Sequence, residues 1–194
     1  MDAITMLRED HRSVEKLFKS FEKAGDRALK TKRKIADDVI AQLSVQAAIE
    51  EQVFYPAVRE KVADMNGLVL ESLEEHHIAK WVLSELDGLD PEDERFEAKM
   101  TVLIENVRHH VKEEETELFP SVRKALGRKL LTELGDQLAV AKKTAPTHPR
   151  PRMPDTPPGN LAGGLVGATV DVARDVIKGS RRAVASKTRS GRSA

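Results

Sequence analysis

The stretch LSVQAAIEEQVFYP, residues 43–56, recurs 64 positions later as VRHHVKEEETELFP, residues 107–120. When the final prolines are aligned, the paired glutamates of the two stretches coincide, but Gln46 falls on His110. Repetition at this distance predicts a chain made of two similar halves. The glutamine in place of histidine predicts that the two halves are chemically unequal.

Apolar residues recur at spacings of three and four along residues 1–143, and no segment alternates as a strand does. Five helices are predicted: one ending near Gly25, one from the N-cap Thr31 to Asp64, one ending at Gly88, one from the capping Asp90 to Ala125, and one covering Arg128–Lys143. Short connections place consecutive helices antiparallel. We therefore predict an all-α fold, an up-down four-helix bundle with a short fifth helix, followed by a flexible, proline-rich, basic tail.

Polar residues fall on the inward faces of the second and fourth helices. Gln46 and Glu50 are four residues apart, as are His110 and Glu114. Residues at this spacing lie about 40° apart on one face of a helix. Because equivalent positions of a helix-pair repeat face each other across the core, both pairs are predicted to point at one interior.

The first and third helices each contribute one histidine to the same interior. His11 shares its face with Val14, and His76 shares its face with Ile78 and Val82. Burying these imidazoles with the glutamates would cost several kcal/mol per group without compensation. A pair of cations compensates them, because carboxylates bridge two metals and imidazoles fill terminal positions. Imidazole and carboxylate without thiolate favour iron, with manganese or zinc as alternatives.

Charge is unevenly distributed along the chain. The part from Lys142 onward holds 11 basic and 3 acidic residues, a net of +8, whereas residues 1–141 hold 21 basic and 29 acidic residues, a net of −8. The absence of cysteine excludes disulfides, thiolate ligands and cysteine nucleophiles. The first residues lack the features of a signal peptide, and no apolar run approaches the roughly 20 residues of a membrane span, so we expect a cytoplasmic protein.

The segment TAPTHPRPRMPDTPPGN, residues 144–160, contains six prolines and predicts an extended linker. Three units are predicted: the helical bundle (1–143), the linker (144–163), and a short amphipathic helix with a disordered basic tail (164–194). Three alternatives exist for this tail: it is solvated, it contacts an acidic partner or an anionic surface, or it contacts the acidic bundle. No motif in it indicates specific binding of nucleic acid.

Four motifs follow one another in the chain: DHRSVEKLF (10–18), AAIEEQVFYP (47–56), EHHIAKWVLSEL (75–86) and RHHVKEEETELFP (108–120). Together they resemble the hemerythrin-like, or HHE cation-binding, family. The resemblance covers about residues 3–125 and implies a four-helix bundle with two non-haem irons. Carried over position by position, it implies five ligands: single histidines His11 and His76, the fourth-helix His110, and bridging Glu50 and Glu114.

Two departures from that family concern Lys80 and Gln46. Lys80 stands where the oxygen-carrying hemerythrins have a second histidine, four residues after His76, so the resemblance is to the wider HHE group. Gln46 stands where the family has a histidine. The oxygen of Gln46 is a weaker, neutral ligand that could coordinate or orient a bound water. Three further interpretations are open: Tyr55, the only tyrosine, coordinates as a phenolate; the position stays open for a ligand; or the site is crippled or mononuclear. On an ideal helix Tyr55 points away from Gln46, which disfavours the first.

The resemblance predicts a non-haem di-iron protein that binds or reacts with dioxygen, peroxide or nitric oxide. A role in oxidative stress would follow, with catalase-like decomposition of peroxide as its enzymatic form. The alternative is a module that senses or buffers iron or oxygen without turnover, whose tail contacts a partner. A helical scaffold without metal is the third interpretation.

Overall fold

The computed structural model describes residues 1–157 and residue 159. Its six α-helices are α1 (Ala3–Lys23), α2 (Leu29–Ile49), α3 (Tyr55–Lys61), α4 (Asn66–Leu86), α5 (Phe96–Glu113) and α6 (Phe119–Lys142). Two π-helical segments, Glu50–Phe54 and Glu114–Leu118, join α2 to α3 and α5 to α6. No strand occurs within the described residues, and the predicted all-α class is confirmed.

The apolar core has two parts, one toward each end of the helices. The first part joins the start of α1, including Leu7, to Phe54 in the first π-helical segment. The second part joins the end of α1, including Phe18, to Val39 in α2 and Met100 in α5. Because the start of α1 meets the end of the next long helix, the two run antiparallel. This arrangement confirms the predicted bundle of four helical rods: α1, α2 with α3, α4, and α5 with the first part of α6.

The π-helical segments occupy equivalent places in the two halves. The N–H of Tyr55 donates to the carbonyl of Glu50, and the N–H of Phe119 donates to the carbonyl of Glu114, in each case five residues back. A proline follows each segment and lacks the N–H that a continuous helix requires. The wider turn accommodates the proline and rotates the next residue relative to an ideal α-helix.

The fourth rod begins later than predicted. Residues 91–95 form turns, and α5 starts at Phe96 instead of the proline after Asp90. The carboxylate of Asp90 accepts a hydrogen bond of 2.9 Å from the N–H of Glu92, and that of Asp93 accepts one of 2.8 Å from the N–H of Arg95. Each aspartate therefore closes a local turn instead of capping a helix.

The second rod begins earlier than predicted. The carbonyl of Ala28 accepts from the N–H of Lys32 at 2.9 Å, and α2 starts at Leu29, so Thr31 lies inside the first turn and caps nothing. Lys32 itself is buried and pairs with Glu97. A lysine inside the bundle end was not expected from the sequence.

The predicted inward face of α4 is wrong at one position. Ile78 is 51% exposed, whereas His76, Lys80 and Leu83 are buried. Residues 76, 80 and 83 have the four- and three-residue spacing of one helix face. Position 78 lies about 200° from position 76 and therefore points away from the core.

A break at Gly127 creates the short fifth helix that the sequence predicted. Gly127 has φ 67° and ψ 174°, and the part of α6 that follows packs against α1. The close contact is at Gly135, where a β-carbon would overlap the carbonyl oxygen of Met1 and lie 3.0 Å from the nitrogen of Ala3. The helix end is also tied to α1 by the Lys142–Asp10 ion pair.

The first residues of the proline-rich segment lie against the bundle. Pro146 and His148 are buried, and Nδ1 of His148 lies 2.8 Å from Oδ2 of Asp87 at the end of α4. No role had been predicted for His148. The predicted amphipathic helix and basic tail, residues 164–194, lie outside the described residues. None of the described helices is both long and apolar enough to cross a membrane.

Candidate metal centre

A polar layer separates the two parts of the apolar core. It contains two sets of three potential ligands, each with donor atoms within 4.8 Å of one another: Glu50 with His76 and His110, and His11 with Glu50 and Glu114. All five residues are at most 6% exposed. The structure therefore brings together all five residues that the sequence placed in the interior, and Glu50 belongs to both sets.

Three donor atoms of this layer have no hydrogen-bond partner within the described structure. They are Nε2 of His11, Oε2 of Glu50 and Oε2 of Glu114, and all three are buried. Buried polar atoms are almost always satisfied, and leaving one unsatisfied costs about 1–3 kcal/mol. Carboxylate oxygens and an imidazole nitrogen directed at a shared space are the donor types that bind iron, manganese or zinc. The donor set therefore fits one or two cations.

Three donor atoms surround Nε2 of His76 at nearly equal distances. Nε2 of His110 lies at 3.2 Å, Oε2 of Glu50 at 3.3 Å and the hydroxyl of Tyr55 at 3.4 Å. Neighbouring ligands of one cation are separated by about 3 Å when the metal–ligand bonds are about 2.1 Å long. The separations around His76 are thus close to those of a single coordination sphere.

Tyr55 lies in the polar layer, contrary to the ideal-helix expectation. It is 1% exposed, and its hydroxyl donates a hydrogen bond of 3.0 Å to Oε1 of Glu114. The preceding π-helical segment, Glu50–Phe54, rotates Tyr55 about the helix axis relative to its position in an uninterrupted α-helix. The equivalent ring of the other half, Phe119, stacks on His11 with ring centres 5.7 Å apart and an angle of 8°. Each half therefore packs an aromatic ring against the histidine of the other half.

The outer nitrogen of each single histidine is held by a glutamate of the opposite half. Nδ1 of His11 lies 2.9 Å from Oε1 of Glu115, and Nδ1 of His76 lies 3.1 Å from Oε1 of Glu51. Such contacts fix the orientation of the imidazole and direct Nε2 toward the interior.

The contact that orients His110 has no counterpart at Gln46. Nδ1 of His110 lies 2.7 Å from Oε2 of Glu75. The repeat matches Glu75 with Asp10, but the carboxylate of Asp10 binds Lys142 instead. In the first half, therefore, a glutamine replaces the histidine and the equivalent aspartate binds a lysine instead. The sequence alone did not indicate this pairing, because Lys142 lies far along the chain.

Gln46 remains part of the polar layer although it is not a histidine. Its side chain is 5% exposed, and its amide nitrogen donates to Oε1 of Glu50 at 3.1 Å. The amide thus holds the glutamate that belongs to both ligand sets. The set around His11 has fewer donors than the set around His76, which also contains His110 and Tyr55.

Carboxylates raise the proton affinity of the two single histidines. Burial disfavours the charged imidazole of His11, but Glu114 and Glu115 outweigh that effect and raise its pKa to about 10. The pKa of His76 is likewise raised to about 10, chiefly by Glu50, against the effect of burial. Without a cation the cluster is therefore neutralised by protons on the histidines.

The two buried glutamates of the ligand sets respond differently to their surroundings. Burial, together with the charge of Glu114, raises the pKa of Glu50. Burial also opposes ionisation of Glu114, but the neighbouring His110 and His11 lower its pKa to about 2. Burial raises the pKa of Tyr55 well above its usual value, and the charge of Glu114 adds to that rise. A cation in the layer would reverse this preference by stabilising the deprotonated donors.

Lys80 is buried and extends the network outward. Its Nζ lies 2.8 Å from Oε1 of Glu51, which in turn contacts Nδ1 of His76. Lys80, four residues after His76, is therefore linked to that histidine through the carboxylate of Glu51. A cavity of about 30 Å³ lies beside it, lined by Gln46, Glu50 and other residues of the layer. This volume suits a water or a diatomic molecule.

A third group of potential ligands lies nearer the surface. Glu75, His109 and Glu113 place donor atoms within 4.8 Å of one another, but none of the three is buried. Exposed acidic groups occur commonly without a metal, so the buried layer is the stronger candidate.

The chain was compared with known proteins. A sequence model described as the hemerythrin HHE cation-binding domain matches residues 2–122. A hemerythrin-like protein of Schizosaccharomyces pombe is 25% identical over 171 residues, which cover 88% of this chain and 83% of that protein. A DNA nickase of Nostoc sp. is 26% identical over 145 residues, which cover 73% of this chain but only 39% of the nickase.

A similar fold occurs in a solved structure. The crystal structure of an HHE cation-binding domain-containing protein from Mycobacterium kansasii matches with a TM-score of 0.63 and 21% identity. The match covers 74% of this chain and 86% of the other. The family match and the helical bundle agree, and this chain belongs to the hemerythrin HHE cation-binding domain family.

Proposed function

We propose that this chain is a non-haem di-iron protein that binds or reacts with dioxygen, peroxide or nitric oxide. The observation that supports it most is the set of three buried donor atoms, on His11, Glu50 and Glu114, that have no hydrogen-bond partner in the described structure. They point into a layer that offers two overlapping ligand sets. In the metal-free chain only protons on the histidines offset the charge of the glutamates, and these three atoms stay without a hydrogen-bond partner among the described residues.

The proposed ligands divide unequally between two iron positions. His76, His110 and Tyr55 would serve one position, and His11 would serve the other, with Glu50 and Glu114 shared. Bound iron would supply redox chemistry toward dioxygen, peroxide or nitric oxide. Because Gln46 replaces the histidine beside His11, that position is the one left open to an external molecule.

The residues around the layer would orient ligands and control protons. Glu115 and Glu51 hold the outer nitrogens of His11 and His76, so the inner nitrogens stay directed at the metal positions. The amide of Gln46 donates to Glu50 and keeps that carboxylate in place. The cavity of about 30 Å³ is lined by Gln46, His76 and His110 but not by His11, and its size suits a water or a diatomic molecule.

Decomposition of peroxide, with a role in oxidative stress, is the enzymatic form of this proposal. Sensing or buffering of iron or oxygen is the alternative, and it requires one binding event without turnover. No nickase activity is proposed, because the similarity to the Nostoc protein spans only 39% of that protein.

Turnover distinguishes the two forms. The full chain would be loaded with ferrous iron, desalted and assayed for oxygen release from excess hydrogen peroxide. Many equivalents of oxygen per chain, lost in Glu50→Gln, indicate the enzyme. A single spectral change at one or two equivalents of peroxide, with no further oxygen release, indicates the sensor or buffer. Failure of the chain to retain any metal would overturn both.

A further inference from the structure

A groove of about 620 Å³ runs along the surface between α1 and α5. This volume lies within the roughly 300–1,000 Å³ typical of small-molecule sites, and a position between the helices of a bundle is a common one. Its deep end includes His11 and Gln46. Neither the di-iron layer nor the family resemblance gives this groove a role.

The walls of the groove are apolar. Val14, Phe18 and Val107 line it and are otherwise buried in the core, while Val111 lines it and is half-buried. Apolar side chains at the bottom of a concave surface favour an apolar ligand, since covering them removes that surface from water.

The rim of the groove is basic although the bundle is acidic. Five cationic residues line it against two glutamates: Arg12, Lys16, Lys19, Arg108, Lys112, Glu15 and Glu115. Arg108 already binds Glu15 and Glu22, and Glu115 already contacts His11. Lys16 and Lys112, one on each helix, form no ion pair with any of the described residues. A local excess of cations on a domain with net charge −8 is a specific feature of this groove.

The groove and the small inner cavity share part of their walls. Gln46 and Val107 line both spaces. At the equivalent place in the other half stands His110, which is held by Glu75. The glutamine therefore lies between a surface groove and the interior layer.

We propose that this groove binds a small amphipathic organic anion, whose charged group is held by Lys16 and Lys112 and whose apolar body lies on Val14, Phe18 and Val107. The far end of the molecule then lies beside Gln46, at the wall of the inner cavity. The proposal that the anion binds depends only on the groove. The proposal that the bound anion lies near iron rests on the proposed function.

Decanoate is a suitable probe because it combines one carboxylate with an apolar chain. Its binding to the full chain would be measured by equilibrium dialysis, with and without iron. We expect saturable binding at one site per chain in both forms, weakened by sodium chloride because the charges are exposed. Acetate has the same charge without the apolar body and is expected to bind much more weakly. Absence of saturable decanoate binding, or equal binding of acetate, would overturn the proposal.

Charge reversal identifies the site. The double variant Lys16→Glu with Lys112→Glu should weaken decanoate binding roughly tenfold or more. Lys30→Glu with Lys34→Glu is the matched control, because both lysines are exposed, lie outside the groove and change the net charge equally. Val111→Glu, which places a carboxylate in the groove, should also abolish binding. Equal affinity in the groove and control variants would refute the assignment.

Metal content separates this proposal from the di-iron proposal. The groove variants are expected to retain the iron content of the unmodified chain, since none of the changed residues belongs to the ligand sets. A chain that binds decanoate in the groove but retains no metal would leave the groove assignment intact and remove the di-iron function. A chain that retains iron but does not bind decanoate would remove the groove assignment and leave the di-iron function intact.

Discussion

The hydroxyl of Tyr55 donates a 3.0 Å hydrogen bond to Oε1 of Glu114, joining the first half of the repeat to the second. The same hydroxyl lies 3.4 Å from Nε2 of His76. This contact depends on the π-helical segment Glu50–Phe54, which turns the tyrosine into the polar layer. Tyr55 therefore does not substitute for the histidine that is missing at position 46, because its hydroxyl lies beside His76 and not beside His11.

Tyr55→Phe tests that assignment. With ferric iron bound, we expect a broad visible absorption band from an iron–phenolate pair, and we expect the variant to lose it while retaining its iron. Tyr55 is the only tyrosine in the chain, so no other residue can supply the band. An unmodified ferric protein without such a band would show that the phenol only donates a hydrogen bond to Glu114.

Gln46→His tests the open position beside His11. The substitution restores a strong nitrogen donor where the other half has His110, and we expect it to occupy the site of an external ligand. The iron content should stay the same, while the rate of reaction with peroxide or nitric oxide should fall roughly tenfold or more, about 1.4 kcal/mol in the barrier. Gln46→Asn is the control, since it keeps an amide. An unchanged rate in Gln46→His would contradict an open position at this place.

The Lys80–Glu51 pair should contribute to stability. Lys80→Met removes the lysine from the buried Glu51, which keeps its contact with His76, and we expect a loss of about 2 kcal/mol in the free energy of unfolding, measured with urea on the metal-free chain. The combination of Lys80→Met with Glu51→Gln should cost less than the sum of the single changes, by about 1 kcal/mol. Strict additivity would show that the 2.8 Å contact carries no coupling energy.

Stability of the metal-free chain should depend on pH through His11 and His76. Their pKa values are raised to about 10 in the folded chain from an unfolded value of 6.5. A raised pKa contributes stability that is fully present below pH 6.5 and is lost as the pH rises through about 10. We therefore expect the Tm of the metal-free chain to fall between about pH 7 and pH 10. The Tm of the iron-loaded chain should fall less over this range, because metal-bound histidines carry no such proton. Equal pH profiles with and without iron would contradict this account.

The repeat and the helix periodicity were sufficient to predict the bundle and the interior position of the histidines and glutamates. These features follow from local spacing, which the sequence displays directly. Glu51 and Glu115 follow Glu50 and Glu114 in each copy, but the sequence alone did not show that they contact the histidines.

Features that depend on irregular backbone or distant contacts were not predicted. The position of Tyr55 followed from a wider turn, for which Pro56 and the matching proline of the second copy were the available signals. The pairing of Asp10 with Lys142 and of His148 with Asp87 joins residues far apart in the chain, so no periodicity reveals it. The start of α5 was misplaced because Asp90 closes a turn and not a helix.

The most direct test of the metal centre is the iron content per chain, by elemental analysis of the full chain after reconstitution. His76→Ala and His77→Ala form a matched pair, since the histidines are neighbours and only His76 belongs to a buried ligand set. We predict two irons per chain in the unmodified protein and in His77→Ala, and fewer in His76→Ala. Absence of bound metal in the unmodified protein, or equal loss in both variants, would contradict the di-iron centre.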